Sequence, residues 1–145
     1  MLTKIKKAYL AGFLDGDGSI YVQAKPNPTY KYGFQIAPYI VLFQSQKDES
    51  KFAEICSLIG LGYLRKRNDG ILEYIIGKSE NIRKFVRIVR PFLILKSDQA
   101  KLILDILDKK EGVANKSEFT SLLKLVDRFR ELNYSKKRKK RSLTP

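Results

Sequence analysis

Leu10-Ala11-Gly12-Phe13-Leu14-Asp15-Gly16-Asp17-Gly18 stands near the N-terminus, and Ser19-Ile20 leads out of it into an alternating stretch. Ala8, Ala11, Gly12 and Gly16 recur at i, i+3, i+4 and i+8, which makes a stripe of small residues on a helix predicted over 4–16. Such a stripe lets a second backbone approach closely, either another helix of the same chain or a helix of a second copy. The helix ends on a carboxylate. Asp17 lies between two glycines, where the chain can turn sharply and come close to another backbone or a phosphate. A carboxylate so placed can hold a divalent cation against nucleic acid. Asp15, two residues earlier, points elsewhere on a helix and reads as a structural contact at the helix end or between subunits.

Composition narrows the chemistry. The 145 residues are enough for one domain with a real core. Twenty-nine Lys and Arg stand against 15 Asp and Glu, giving +14, which points to a polyanionic partner and above all to nucleic acid. Lys136, Lys137, Arg138, Lys139, Lys140 and Arg141 form a basic tail over 135–145, and taking those six charges away leaves +8 on a domain spanning 1–134. With no histidine and the single Cys56, an internal disulfide, a Cys/His zinc site and Ser-His-Asp or Cys-His catalysis are all excluded. Any metal must then be hard and oxygen-bound, which favours Mg²⁺. No apolar run is long enough to span a membrane and no continuous apolar segment marks a secretion signal, so an intracellular setting is expected.

The chain then alternates. Ile20, Val22 and Ala24 face one way, and Tyr21, Gln23, Lys25 and Asn27 the other, over a strand predicted at 19–27. The second set suits base edges, because Gln and Asn pair bidentately with adenine and Lys reaches guanine. An ordinary solvated strand face is polar too. Pro26-Asn27-Pro28-Thr29 opens a hairpin loop that runs past Tyr30 to Gly33, and a second strand is predicted over 34–45. Gln35, Ala37, Tyr39, Val41 and Phe43 share its outer face, and Pro38 favours an edge position or a bulge. A helix over 47–59 stops at Gly60. Strands over 62–67 and 71–76 close around Asn68-Asp69-Gly70, with Arg65, Arg67, Glu73 and Ile75 on the outer face. Helices follow over 79–89, over 97–109 with a Ser97-Asp98 cap, and over 117–133 from Ser117. The class is α+β.

The nonapeptide 10–18 resembles the signature of the LAGLIDADG homing endonucleases, and the order of elements matches their αββαββα fold, with an antiparallel β-saddle and extra C-terminal helices, over nearly the whole chain. The motif occurs once. The resemblance therefore implies a homodimer, packed through Ala8, Ala11 and Gly12, in which each chain gives one Asp17 to a joint active site. It implies Mg²⁺ held by Asp17 and the Gly16 carbonyl, with Gln46 organising water and Lys96 near the scissile phosphate. In several single-motif relatives a basic residue follows Gln46 on the next helix; here that place reads Asp48-Glu49-Ser50, with Lys51 after it. The resemblance also implies double-stranded DNA as partner, read by Tyr21, Gln23, Lys25, Asn27, Thr29, Tyr30, Gln35, Tyr39, Arg65, Arg67 and Glu73. Lys136 and Lys137 would touch the phosphate backbone. The expected activity is a metal-dependent double-strand break at a long pseudo-palindromic site, of the kind that spreads a host intron or intein. The alternative is an RNA maturase on the same fold, which binds and does not cut.

Overall fold

The computed structural model describes residues 1–133, so Lys136, Lys137 and the rest of the basic tail lie outside the described residues. The order of elements is α1 (Lys4–Asp17), β1 (Gly18–Pro26), β2 (Phe34–Ser45), α2 (Glu49–Ile59), β3 (Tyr63–Lys66), β4 (Ile71–Ile76), α3 (Ser79–Val89), α4 (Ser97–Glu111) and α5 (Lys116–Leu132). The strands form one sheet in the order β1-β2-β4-β3. This is the expected α-β-β-α-β-β-α-α-α succession, and β2 and α3 span the predicted residues.

The chain divides into two compact units. The first holds residues 1–20 and 39–97. Thr3 caps α1 by accepting the Lys6 N–H at 3.2 Å. Leu10 and Leu14 of α1 are fully buried, as are Phe52 of α2 and Ile82, Phe85, Val86 and Val89 of α3. The four α3 residues form one helical face, and α1 packs on α3 and on the 3-10 turn that follows it, Arg90–Phe92. Phe13 stacks on Phe52 with ring centroids 5.8 Å apart. Gly60 ends α2 in the left-handed conformation, at φ 64°, which an L side chain adopts only with strain. β4 lies between β2 and β3, and residues 40–45 pair antiparallel with 71–76. The buried Tyr74 hydroxyl accepts the Leu61 and Gly62 N–H groups at 2.9 and 2.7 Å and so ties the α2–β3 link to β4.

The second unit holds residues 21–38 and, among the described residues, 98–133. Val22, Ala24, Ile36 and Ala37 are buried in it, with Ala100, Ile103, Ile106 and Leu107 of α4 and Phe119, Leu122, Val126 and Phe129 of α5. Gln99, the one polar side chain buried among the described residues, donates from Nε2 to the Leu132 carbonyl at 3.2 Å and so satisfies the end of α5.

Four local expectations shift. The helix predicted from residue 47 opens with a 3-10 turn, Gln46–Asp48, because the Ser45 hydroxyl accepts the Lys47 N–H and caps that turn first. Pro38 is buried in a strand interior to the sheet order, not at its edge; the pairing of β2 with β4 begins at Ile40, so the missing N–H interrupts none of it. Ser97 does not cap α4 but is its first residue, and its hydroxyl donates to the Ile94 carbonyl at 3.4 Å. α5 starts at Lys116, one residue before the expected Ser117, and its cap is Asn115. Asn115 Oδ1 accepts the Glu118 N–H at 2.9 Å while Glu118 reaches back to the Ala114 N–H at 2.8 Å, a capping box.

Candidate active site

Asp17 is the last residue of α1, and its carboxylate is exposed, with no hydrogen bond or ion pair to any other described residue. The chain leaves the helix at once. The Gly18 N–H donates to the Leu14 carbonyl, and Gly18 itself is extended (φ −128°, ψ 176°). A Cβ on Gly18 would stand 2.6 Å from Leu14 Cδ1 and 2.9 Å from the Leu14 oxygen. The glycine after Asp17 therefore serves close approach of the extended strand to its own helix. The end of a helix carries partial negative charge and carbonyl oxygens without helical partners. In α1 the Leu14 carbonyl takes Gly18, and the Asp15 carbonyl takes Lys96 Nζ at 2.7 Å. The Gly16 carbonyl is one of the other two in that last turn.

Asp15 and Lys96 are joined more firmly than the sequence suggested. The Asp15 carboxylate accepts the N–H groups of Ile94 at 2.8 Å, Leu95 at 3.1 Å and Lys96 at 3.0 Å. Asp15 is thus structural, as expected, and its partner is a loop of its own chain 79 to 81 residues on. That clamp brings Lys96 to the end of α1. It also holds Ile94 and Leu95 in solvent, 81% and 73% exposed, which no local pattern in the sequence flagged.

Gln46 opens the 3-10 turn after β2, exposed, with its N–H donating to the Gly70 carbonyl at 2.8 Å and its side-chain amide unpaired among the described residues. Lys51 is exposed on α2. The cation that meets the start of α2 is Lys66 of β3, with its ammonium 3.1 Å from Glu49. Sequence reading missed it, because no local pattern links β3 to the start of α2.

The expected reader residues separate into groups. On β1, Gln23 and Lys25 are exposed and Tyr21 is half-buried. Asn27 falls one residue past the strand, and its Oδ1 accepts both the N–H and the hydroxyl of Thr29, at 3.0 and 2.6 Å. It organises the loop, where Thr29 and Tyr30 are exposed. On β2, Gln35 and Tyr39 are half-buried, but Ala37 and Val41 are buried; Val41 lies opposite Ile75, which is itself buried, so that row of the expected outer face is apolar packing. Arg65 and Glu73 lie opposite each other on β3 and β4 and pair at 3.6 Å. Arg67 lies one residue past β3, where its N–H still donates to the Ile71 carbonyl at 2.9 Å in the register of the ladder, and its guanidinium pairs with Asp69 of the turn at 2.6 Å. Each pair is exposed on at least one side and contributes little to stability, so phosphate oxygens can displace it at small cost.

The helix stripe needs one correction. Ala11 is fully buried between Leu10 and Leu14 in the single chain and cannot form an interface. The exposed side of α1 carries Ile5, Ala8, Tyr9, Gly12 and Gly16, with Ile5 83% and Tyr9 55% exposed.

The model of the LAGLIDADG endonuclease family matches residues 10–101, from the start of the nonapeptide through Lys96. The chain belongs to the LAGLIDADG endonuclease family. It is 36% identical over 148 aligned positions to the DNA endonuclease I-CreI of Chlamydomonas reinhardtii, covering 99% of this chain and 90% of that protein. It is 33% identical over 135 positions to the DNA endonuclease I-CvuI of Chlorella vulgaris, covering 93% and 84%. The crystal structure of I-CvuI with the I-CreI target DNA in 2 mM Mg superposes with a TM-score of 0.86 at 32% identity, over 94% of this chain and 87% of that one. I-CvuI has also been crystallised with its own target in 2 mM Ca. The α+β LAGLIDADG fold is therefore that of this chain.

No group of three or more His, Cys, Asp or Glu that could hold an ion occurs among the described residues. Carboxylate and carbonyl oxygens are nevertheless the donors a hard divalent cation takes, with water or phosphate oxygens completing its shell. The Asp17 carboxylate and the Gly16 carbonyl fit such an ion as two of its ligands. No helix among the described residues is long and apolar enough to cross a membrane.

Proposed function

We propose that the chain is a site-specific DNA endonuclease that works as a homodimer with Mg²⁺. The observation that carries this reading is the pairing, on one helix, of an unpartnered terminal carboxylate with an exposed apolar and small-residue face. Ile5, Ala8, Tyr9, Gly12 and Gly16 fall at helical spacing, and Gly12 and Gly16 have no atom within 4 Å of where a Cβ would stand. A second copy packing there sets its own Asp17 beside the first. Two carboxylates so close repel unless cations lie between them, so dimer, metal and DNA form one linked unit.

In this reading Asp17 and the Gly16 carbonyl hold the cation. Bound Mg²⁺ supplies charge neutralisation at the phosphate and lowers the pKa of water. Lys96, fixed through Asp15, places a positive charge beside the oxygens where negative charge develops. Gln46 donates and accepts through its free amide and orients the attacking water. Lys66, paired with Glu49 at the start of α2, and Lys51 on α2 stand in for the basic residue absent after Gln46. Tyr21, Gln23, Lys25, Thr29, Tyr30, Gln35, Tyr39, Arg65 and Glu73 read bases. Arg67, and Lys136 and Lys137 of the tail, contact phosphate. Two-fold protein symmetry calls for a pseudo-palindromic target, and the setting is intracellular, where such DNA lies.

The test is incubation with Mg²⁺ and a randomised-site duplex library, followed by sequencing of cut ends. Cuts in one pseudo-palindromic family support the endonuclease. A folded protein that binds RNA and leaves all duplexes intact would replace it with the maturase.

A further inference from the structure

The 27–33 loop is ordered from two directions. Internally, the Asn27 N–H donates to the Gly33 carbonyl at 2.8 Å, the Tyr30 N–H to the Asn27 carbonyl at 3.1 Å, and the Gly33 N–H to the Tyr30 carbonyl at 2.9 Å. From outside, the Tyr32 ring stacks on Phe119 of α5, with centroids 4.9 Å apart and planes 22° from parallel. Phe34, the first residue of β2, lies 6.4 Å from the same Phe119 ring. Phe119 is 8% exposed and belongs to the first turn of α5, the turn that the Asn115–Glu118 capping box fixes. These contacts make one chain of positioning within the second unit: cap, Phe119, Tyr32, loop.

We propose that Phe119, through its stack on Tyr32, is a positioning residue that sets base discrimination at the DNA positions the 27–33 loop reads. The inference rests on the endonuclease reading. Thr29 and Tyr30 stand exposed in this loop, where they can reach base edges. A reader that must be ordered on binding loses affinity and discrimination to that ordering, and a preorganised one does not. The internal bonds of the loop are local, and the aromatic stack is what ties the loop to a helix.

The test uses the full chain with Phe119→Leu, Tyr32→Leu and Tyr32→Phe. The Tyr32 variants alter the ring from the half-buried loop side, should Phe119→Leu fail to fold. Hydrogen exchange at the Asn27, Tyr30 and Gly33 amides, without DNA, should quicken at least tenfold in both leucine variants and stay at the wild-type rate in Tyr32→Phe. Duplexes bound from the randomised library should lose preference at a few adjoining positions of each half-site only, with the other positions retained and Tyr32→Phe restoring the profile. Wild-type exchange in the leucine variants, or equal loss of preference at every position, would overturn the proposal. A wild-type protein with no base preference would instead strike down the endonuclease reading, and the exchange rates would still decide whether Phe119 holds the loop.

Discussion

Asp15 and Lys96 bind each other twice. The Asp15 carboxylate takes the Lys96 N–H at 3.0 Å, and the Lys96 ammonium donates to the Asp15 carbonyl oxygen at 2.7 Å. One acidic residue thus moors a lysine, and the exposed apolar pair before it, to the helix end that carries Asp17. The carboxylate holds the backbone of the loop, and with it the position of the lysine whose ammonium the Asp15 carbonyl takes.

Asp15→Ala should therefore cost both. Hydrogen bonds to a charged acceptor are worth about 1.5–3 kcal/mol each when sheltered. These are partly open to water, so the total loss should be about 2 kcal/mol, read from the urea midpoint. The single-turnover cleavage rate should fall at least tenfold with DNA affinity near wild type. A wild-type rate in the destabilised variant would show that Lys96 needs no mooring.

Gly12→Leu should leave the single chain folded, since nothing lies within 4 Å of the new Cβ and a helix interior favours leucine over glycine. Sedimentation should show the dimer shifted to monomer, with the far-UV circular dichroism retained. A dimer as tight as wild type would place the interface elsewhere.

Gly18→Ala should behave in the opposite way. Its Cβ would press on the Leu14 backbone and side chain, both held in the core, so stability should drop by about 1–3 kcal/mol. Cleavage should fall with it, because Asp17 is the adjacent residue. Wild-type denaturation would mean that the strand can leave the helix by another path.

The buried Cys56 thiol is pushed up from its ordinary 9.0 to about 11, by loss of solvation that its own backbone hydrogen bond only partly offsets. The folded state thus holds the proton more tightly than the unfolded one. The stability this contributes is complete below pH 9 and is lost as pH rises through about 11. The buried Tyr74 phenol, also raised by desolvation, acts in the same direction at higher pH. The urea midpoint should fall over that window, and less steeply in Cys56→Ala. Equal slopes in the two proteins would contradict the assignment.

Much of this was legible in the chain. Strand alternation placed Ile20, Val22 and Ala24 inward, Gly60 stopped α2, and the nonapeptide located Asp17 at the end of its helix. Long-range contacts were not legible. Nothing near Asp15 in sequence announces a loop 79 residues away. Ala11 and Gly12 are adjacent and alike in size, and only the packing of Leu10 and Leu14 turns one inward and leaves the other exposed. Asn27 continues the β1 alternation, yet Pro28 and Thr29 draw it into a turn where local hydrogen bonds win over the strand. At α5 the helix expected from Ser117 starts one residue earlier, at Lys116, because the Asn115–Glu118 pair supplies two capping hydrogen bonds.

In the proposed dimer the exposed Asp17 carboxylate carries metal-dependent cutting and supports nothing else in the fold. Wild type and Asp17→Asn should be compared on the duplex recovered from the randomised library, with binding and cleavage in Mg²⁺ followed together. The variant should be as stable as wild type, bind the duplex and leave both strands intact. Cleavage by Asp17→Asn near the wild-type rate would remove Asp17 from the site.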